Sequence, residues 1–119
     1  THIFLDSLAK GSSIPKWLNE GCAAYIAKQH LKDKMTLKIE KNFCKNLTNY
    51  KDWNKRINKG AYSLSALFVS FLIKKYSFNK IRELVGSLDK EYDYNKFKKS
   101  ILKFYGNDLT KLENIFIKQ

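Results

Sequence analysis

One stretch in the middle of the sequence is apolar and contains no charged residue. It extends from Ala61 to Ile73, which is long enough for a core helix and too short for a membrane span. We therefore predict a central helix here, with Phe68 and Leu72 in the core. Its bulky apolar residues are Tyr62, Leu64, Leu67, Phe68, Val69, Phe71 and Leu72.

Two helices are predicted before this central helix. The first covers about 1–10 and presents apolar residues to the core. Pro15 opens the second, which extends to about Gln29, because proline is tolerated at the start of a helix. The second helix has almost no polar face, which is typical of a buried helix. One of its apolar stripes consists of Leu18, Cys22, Tyr25 and Ile26.

Three more helices are predicted after the central one. Asn79 is expected to be the N-cap of the first of them. Gly106 is expected to end the second, which covers about 94–105. Thr110 and Glu113 have the spacing of a capping box, which predicts the start of the last helix.

Residues 30–59 show no long hydrophobic period and hold nine basic and three acidic residues. We expect mostly irregular structure and short helices here, although 35–39 alternates weakly, as a short strand does. The sequence contains no repeat and no glycine-rich nucleotide-binding motif. The chain is therefore predicted to be a single all-α domain over 1–119, a compact bundle of five to six helices.

The net charge of +12 raises the question of nucleic-acid binding, because clustered cations gain affinity by releasing counterions from phosphates. Only Arg56 and Arg82 are arginines, the residue best suited to forked contacts with phosphate and guanine. The lysines are scattered along the chain. We therefore expect residues 30–59 to form a solvated basic surface with weak, salt-sensitive affinity and no specific nucleic-acid site. No apolar run reaches the length of a membrane span, so none is predicted.

Cys22 and Cys44 are too few and too far apart for a zinc knuckle, which needs close pairs of cysteines. Cys22 lies in the apolar second helix, so we predict a buried thiol. A disulfide between the two cysteines would require an oxidising compartment.

Glu20 is the residue of the second helix that most needs an explanation. Its neighbours in helical projection are mostly small and apolar, and a carboxylate is rarely buried unless it is paired or bound to a metal. One interpretation is that Glu20 pairs with Lys16, four residues earlier, or lies at an exposed edge. The other is that it binds zinc together with His2, because a His₂Glu ligand set leaves the open position that catalysis needs.

Residues 15–25, Pro-Lys-Trp-Leu-Asn-Glu-Gly-Cys-Ala-Ala-Tyr, resemble the glutamate helix of gluzincin metallopeptidases of the peptidase MA-like and aminopeptidase-N-like kind. In that family a His-Glu-x-x-His helix precedes a helix with the pattern Pro-x-Trp-Leu-x-Glu-Gly-x-Ala-x-Tyr. Thr1 and His2 match the end of the first pattern. Residues 61–76 resemble a further family pattern, Tyr-x-x-Ser…Phe-x-x-x-Leu-x-x-x-Tyr-Gly, with Ser77 in place of the glycine.

The resemblance implies roles for three residues. His2 would be the second zinc-binding histidine and Glu20 the third protein ligand of zinc. Tyr62 would supply a hydroxyl that stabilises the oxyanion of the tetrahedral intermediate, although a core tyrosine is the plainer interpretation.

The first zinc histidine and the general-base glutamate of the family are not among these 119 residues. We therefore expect an excised or processed part of a longer zinc peptidase that acts on peptide or protein substrates. These residues alone would bind zinc weakly or not at all and would be inactive.

Two other functions are compatible with the sequence. A helical module of this fold would bind a protein partner without catalysis, and a basic helical domain would bind nucleic acid weakly through 32–59. The resemblance also implies a missing N-terminal sheet subdomain, whose absence would expose an apolar patch around His2, Leu5 and Trp17. Such patches drive association, so self-association is expected.

Overall fold

The computed structural model describes residues 14–27, 39–40, 42–56, 60–88 and 93–118; the predicted first helix lies outside these ranges. All regular structure within them is helical, which confirms the all-α class. No helix in these ranges is long and apolar enough to cross a bilayer. The helices are α1 (Lys16–Ala27), α2 (Phe43–Asn46), α3 (Tyr50–Lys55), α4 (Ala61–Lys75), α5 (Phe78–Gly86), α6 (Tyr94–Tyr105) and α7 (Leu109–Lys118).

Helix α4 is the predicted central helix, and it is buried along most of its length. It begins after Gly60, whose left-handed backbone, with φ of 91°, suits a residue without a side chain. Phe68 and Leu72 are fully buried, as predicted. The charged residues of the helix, Lys74 and Lys75, lie in its last turn, where positive charge is favourable.

Helix α1 packs along α4 more extensively than any other pair of helices in the described part of the chain. The two backbones come very close at Gly21. A Cβ atom added there would lie 2.5 Å from the Ser65 carbonyl oxygen and 2.6 Å from Val69 Cγ2. Because packed interiors leave no room for such an approach, only glycine allows this crossing. The position of α1 on α4 is therefore closely determined.

The core between these helices is strongly aromatic. Phe68 of α4 lies at its centre, with four other rings around it. The distances from its ring centroid are 5.3 Å to Trp17, 5.1 Å to Phe43, 5.9 Å to Phe71 and 5.3 Å to Phe116. These contacts join α1, α2 and α7 to α4.

The weakly patterned region contains two short helices in its described part, as expected. Asn49 caps α3, because its side-chain oxygen accepts a hydrogen bond from Asp52 N at 2.7 Å. Most of the weakly alternating stretch 35–39 lies outside the described residues. Residues 42–56 therefore add two short helices to the bundle.

Two predicted helix starts are wrong by two residues each. Ser77, and not Asn79, precedes the first residue of α5. Asp108, and not Thr110, caps α7, because its carboxylate accepts a hydrogen bond from Lys111 N at 2.8 Å. Asparagine, aspartate, serine and threonine are all good caps, so a sequence with two of them close together leaves the choice open.

The predicted end of α6 is confirmed. Gly106 has φ of 74°, and its N–H donates to the Leu102 carbonyl at 2.9 Å. This is the left-handed helix ending for which glycine is the best residue.

Ser77, between α4 and α5, has an unusual backbone. Its φ of 124° and ψ of 160° lie in a region that only glycine adopts at little cost, and its side chain makes no capping hydrogen bond. The serine is therefore strained here, and glycine would fit better.

Replacing Ser77 with glycine is expected to raise the free energy of unfolding by about 1 kcal/mol. Relief of strain of about 1–3 kcal/mol outweighs the added flexibility of glycine in the unfolded chain. Ser87→Gly is the matched control, because Ser87 has φ of −92° and its hydroxyl donates to the Leu84 carbonyl. Urea unfolding should show Ser77→Gly more stable and Ser87→Gly no more stable than the parent. Equal or lower stability of Ser77→Gly would contradict the strain.

Candidate functional site

Glu20 lies in the second turn of α1, directly before Gly21. Its side chain is only 11% exposed, and Oε1 lies 3.1 Å from Lys16 Nζ. The interpretation that Glu20 pairs with Lys16 is therefore confirmed. This pair holds a largely buried carboxylate in a defined position on a packed helix.

Lys16 also contacts a second helix. Its Nζ lies 5.0 Å from the centroid of the Trp53 ring on α3, which is a cation–π distance. Trp53 is buried, and its ring packs edge-to-face with that of Tyr62 on α4, at 4.4 Å between centroids. Glu20, Lys16, Trp53 and Tyr62 thus form a continuous row of contacts across α1, α3 and α4, which we call the Glu20–Tyr62 row.

Tyr62 is 42% exposed, so the interpretation of Tyr62 as a core tyrosine is wrong. Its ring contacts that of Trp53, and a large part of the residue is accessible to solvent. The two site residues predicted within the described ranges, Glu20 and Tyr62, are therefore joined through Lys16 and Trp53.

His2 lies outside the described residues, as does the helix predicted around it. Its pairing with Glu20 stays a prediction. Within 14–27, 39–40, 42–56, 60–88 and 93–118, no three His, Cys, Asp or Glu side chains come together as a metal-binding group.

The first turn of α1 is held by backbone hydrogen bonds from a distant segment. The N–H groups of Lys16 and Trp17 donate to the carbonyls of Thr48 and Leu47, at 2.8 and 2.9 Å. These bonds satisfy N–H groups that a helix start leaves without an intrahelical partner. Together with the close crossing at Gly21, they fix the part of α1 that bears Glu20.

The two cysteines are buried and not joined in a disulfide. Burial raises the pKa of Cys22 to about 12, and burial together with the charge of Glu113 raises the pKa of Cys44. Because the thiolate is the form that attacks electrophiles and binds metals, neither thiol is poised for such chemistry at neutral pH. The prediction of a buried Cys22 is confirmed.

Trp17 does not belong to an exposed apolar patch, so that part of the self-association argument is wrong. Its side chain is 1% exposed and packs against Phe68 and Phe97. The tryptophan of the motif is therefore part of the domain core, and it anchors α1 from the inside. The other two residues of the expected patch, His2 and Leu5, lie outside the described ranges.

The apolar stripe predicted on α1 is correct near its start and wrong near its end. Leu18 and Cys22 are fully buried, whereas Tyr25 is 38% and Ile26 is 45% exposed. The helix passes beyond the packed core in its last turns, and a pattern of apolar residues does not show where that happens.

The described residues form an all-α bundle with a largely buried, lysine-paired carboxylate on a closely packed helix. Comparison of the chain with protein-family models, with curated proteins and with solved structures found no match.

Proposed function

We propose that this domain is the helical part of a zinc metallopeptidase of the gluzincin type. In this proposal Glu20 is the third protein ligand of zinc and His2 is the second. The first zinc histidine and the general-base glutamate are not among the 119 residues, so the activity belongs to a chain that also contains them.

The observation that supports the proposal best is the setting of Glu20. A metal ligand must be held within a fraction of an ångström by the packing of its element, and α1 is held in this way by Gly21 and by the bonds to Leu47 and Thr48. Ligating carboxylates are themselves held by hydrogen bonds, and Lys16 Nζ supplies such a bond to one oxygen of Glu20. The ion pair is therefore compatible with metal ligation through the carboxylate.

The strained backbone at Ser77 supports the same proposal independently. The family pattern has a glycine at this position, and the φ of 124° found here is one for which glycine is the suitable residue. The backbone at this position is thus one that suits the glycine of the family pattern, although this chain has serine there.

Each residue of the site has a chemical task in this proposal. Glu20 and His2 would hold zinc, which when bound activates water for attack on a peptide carbonyl. Lys16 donates a hydrogen bond to the Glu20 carboxylate, and its ammonium group also contacts the Trp53 ring. Tyr62, which is exposed beside Trp53, would in this proposal donate a hydroxyl hydrogen bond to the oxyanion formed from the substrate.

A peptidase assay tests the proposal on a chain that includes the natural residues preceding Thr1. We expect hydrolysis of an unstructured protein substrate that a chelator abolishes and added zinc restores. Unchanged activity in the presence of chelator, or preceding residues without a His-Glu pair, would overturn the proposal.

A further inference from the structure

Glu113 is a buried acid that the proposed zinc site does not use. It lies on α7, its side chain is 1% exposed, and it faces the start of α2, 69 residues away in sequence. One carboxyl oxygen, Oε2, accepts a hydrogen bond from Cys44 N at a long distance of 3.4 Å. The other oxygen, Oε1, is buried without a hydrogen-bond partner. A negative charge held in this way is poorly compensated.

No positively charged side chain among the described groups around Glu113 offsets the negative charge of the ionised acid. The start of α2 offers the N–H groups of Cys44 and Phe43, which favour the ionised acid. The titratable groups that face the carboxyl are the Cys44 thiol and, at the start of α6, the Tyr94 phenol. Burial, and after it the charge of Glu113, raises the pKa of both groups. Lys45 lies over the Tyr94 ring, 5.6 Å from its centroid.

The face of α7 that packs against α4 contacts aromatic side chains. Phe116, one turn beyond Glu113, packs against Phe68 and Phe71. Burial in these surroundings outweighs the two N–H groups and raises the pKa of Glu113 to about 7.

The segment that Glu113 contacts also holds the start of α1. Phe43 and Cys44 begin α2, and the carbonyls of Leu47 and Thr48 directly after α2 accept the N–H groups of Trp17 and Lys16. Residues 42–48, which we call the bridging segment, therefore join the Glu113 carboxyl on α7 to the first turn of α1.

We propose that protonation of Glu113 stabilises the packing of the bridging segment against α7. When Glu113 is protonated, the segment packs tightly on α7 and holds the first turn of α1. When Glu113 is ionised, the buried charge weakens this packing and the first turn of α1 opens more often. Neither Glu113 nor the bridging segment supplies a ligand of the proposed zinc site.

The direction of the pH dependence follows from the two states of the acid. In the opened state Glu113 has the ordinary pKa of a solvated glutamate, near 4.5, whereas in the closed state its pKa is about 7. The closed state therefore binds a proton between these values that the open state does not bind. Its stability is complete below about pH 4.5, falls as the pH rises to about 7, and is constant above that.

The first test uses the unmodified protein. The side-chain carboxyl of Glu113 is titrated by carbon NMR, and hydrogen exchange of the Lys16, Trp17 and Cys44 amides is followed over the same pH range after correction for intrinsic rates. The carboxyl midpoint should lie near pH 7, and the opening constant of the three amides should rise about seventyfold between pH 5 and pH 8. A midpoint near 4.5, or an opening constant that does not follow the titration, would overturn the proposal.

The second test compares two variants. Glu113→Gln keeps an oxygen that accepts the Cys44 N–H but does not titrate, so the opening constant of these amides should lose most of its pH dependence. Glu83→Gln is the matched control, because Glu83 lies on α5 with half of its side chain exposed in a pair with Lys80. It should keep the pH response of the parent protein. The same pH response in Glu113→Gln as in the parent would contradict a role for this carboxyl; a Glu113→Gln variant that fails to fold leaves the decision to the carboxyl titration.

Discussion

Replacing Phe68 with alanine is expected to lower the free energy of unfolding by about 3–5 kcal/mol. Phe68 is fully buried at the centre of the core, and its ring contacts four other aromatic rings. Alanine would remove most of the side chain and leave a cavity that the surrounding rings cannot close, because each is also held by its own helix. Urea unfolding followed by tryptophan fluorescence measures the change.

Leu102→Ala is the control for this experiment, because Leu102 is also a large apolar residue of a helix but is 52% exposed. It should change the free energy of unfolding by less than about 1 kcal/mol. If Phe68→Ala and Leu102→Ala lowered the free energy of unfolding by the same small amount, with a similar dependence on urea concentration, the core would not centre on Phe68.

Replacing Glu20 with alanine should lower zinc affinity more than about a hundredfold in a chain that includes the residues preceding Thr1. Loss of a group that merely orients a zinc ligand costs about 10–100-fold, so loss of the ligand itself should cost more. Hydrolysis should fall with it. Titration with zinc against a competing chromophoric chelator measures the affinity.

Glu40→Ala is a suitable control for Glu20→Ala. Glu40 is also paired with a basic side chain, since its Oε1 lies 2.9 Å from Arg56 Nε, but it is about half exposed. Its loss should leave zinc affinity within about twofold, since a surface ion pair contributes at most about 1 kcal/mol to stability and Glu40 is no predicted ligand. If Glu20→Ala bound zinc as tightly as the parent chain, Glu20 would not be a zinc ligand.

The helices were largely predictable because their apolar patterns are local properties of the sequence. The uncharged run at 61–73 became α4, and Gly106 ended α6 with the expected left-handed backbone. The errors arose at helix starts, where two nearby residues are both well suited to be the N-cap. Asp108 and Thr110 are both good caps, and only the folded geometry shows that the aspartate makes the bond.

Glu113 shows a different limit of sequence-based prediction. Its spacing from Thr110 indicated a capping box, but the side chain is buried and reaches the backbone of α2 instead. A contact between residues 69 positions apart depends on how α7 packs in the bundle. No local pattern contains that information.

The sequence predicted the local contacts of the candidate site but not the contacts made by distant residues. The ion pair of Glu20 with Lys16 follows from their spacing of four residues on one helix. Trp53, which joins Lys16 to Tyr62, and the carbonyls of Leu47 and Thr48, which hold α1, come from distant parts of the sequence. Apolar and polar patterns within 42–56 gave no indication that this region supports Glu20.

The location of bound zinc tests the central claim most directly. Crystals of a zinc-loaded chain that includes the residues preceding Thr1, measured at the zinc absorption edge, locate the metal by its anomalous scattering. We predict a single strong site with the Glu20 carboxylate and the His2 imidazole at about 2.0–2.2 Å from the zinc. A zinc site formed by other residues, with Glu20 bound only to Lys16, would contradict the assignment of Glu20 as a zinc ligand.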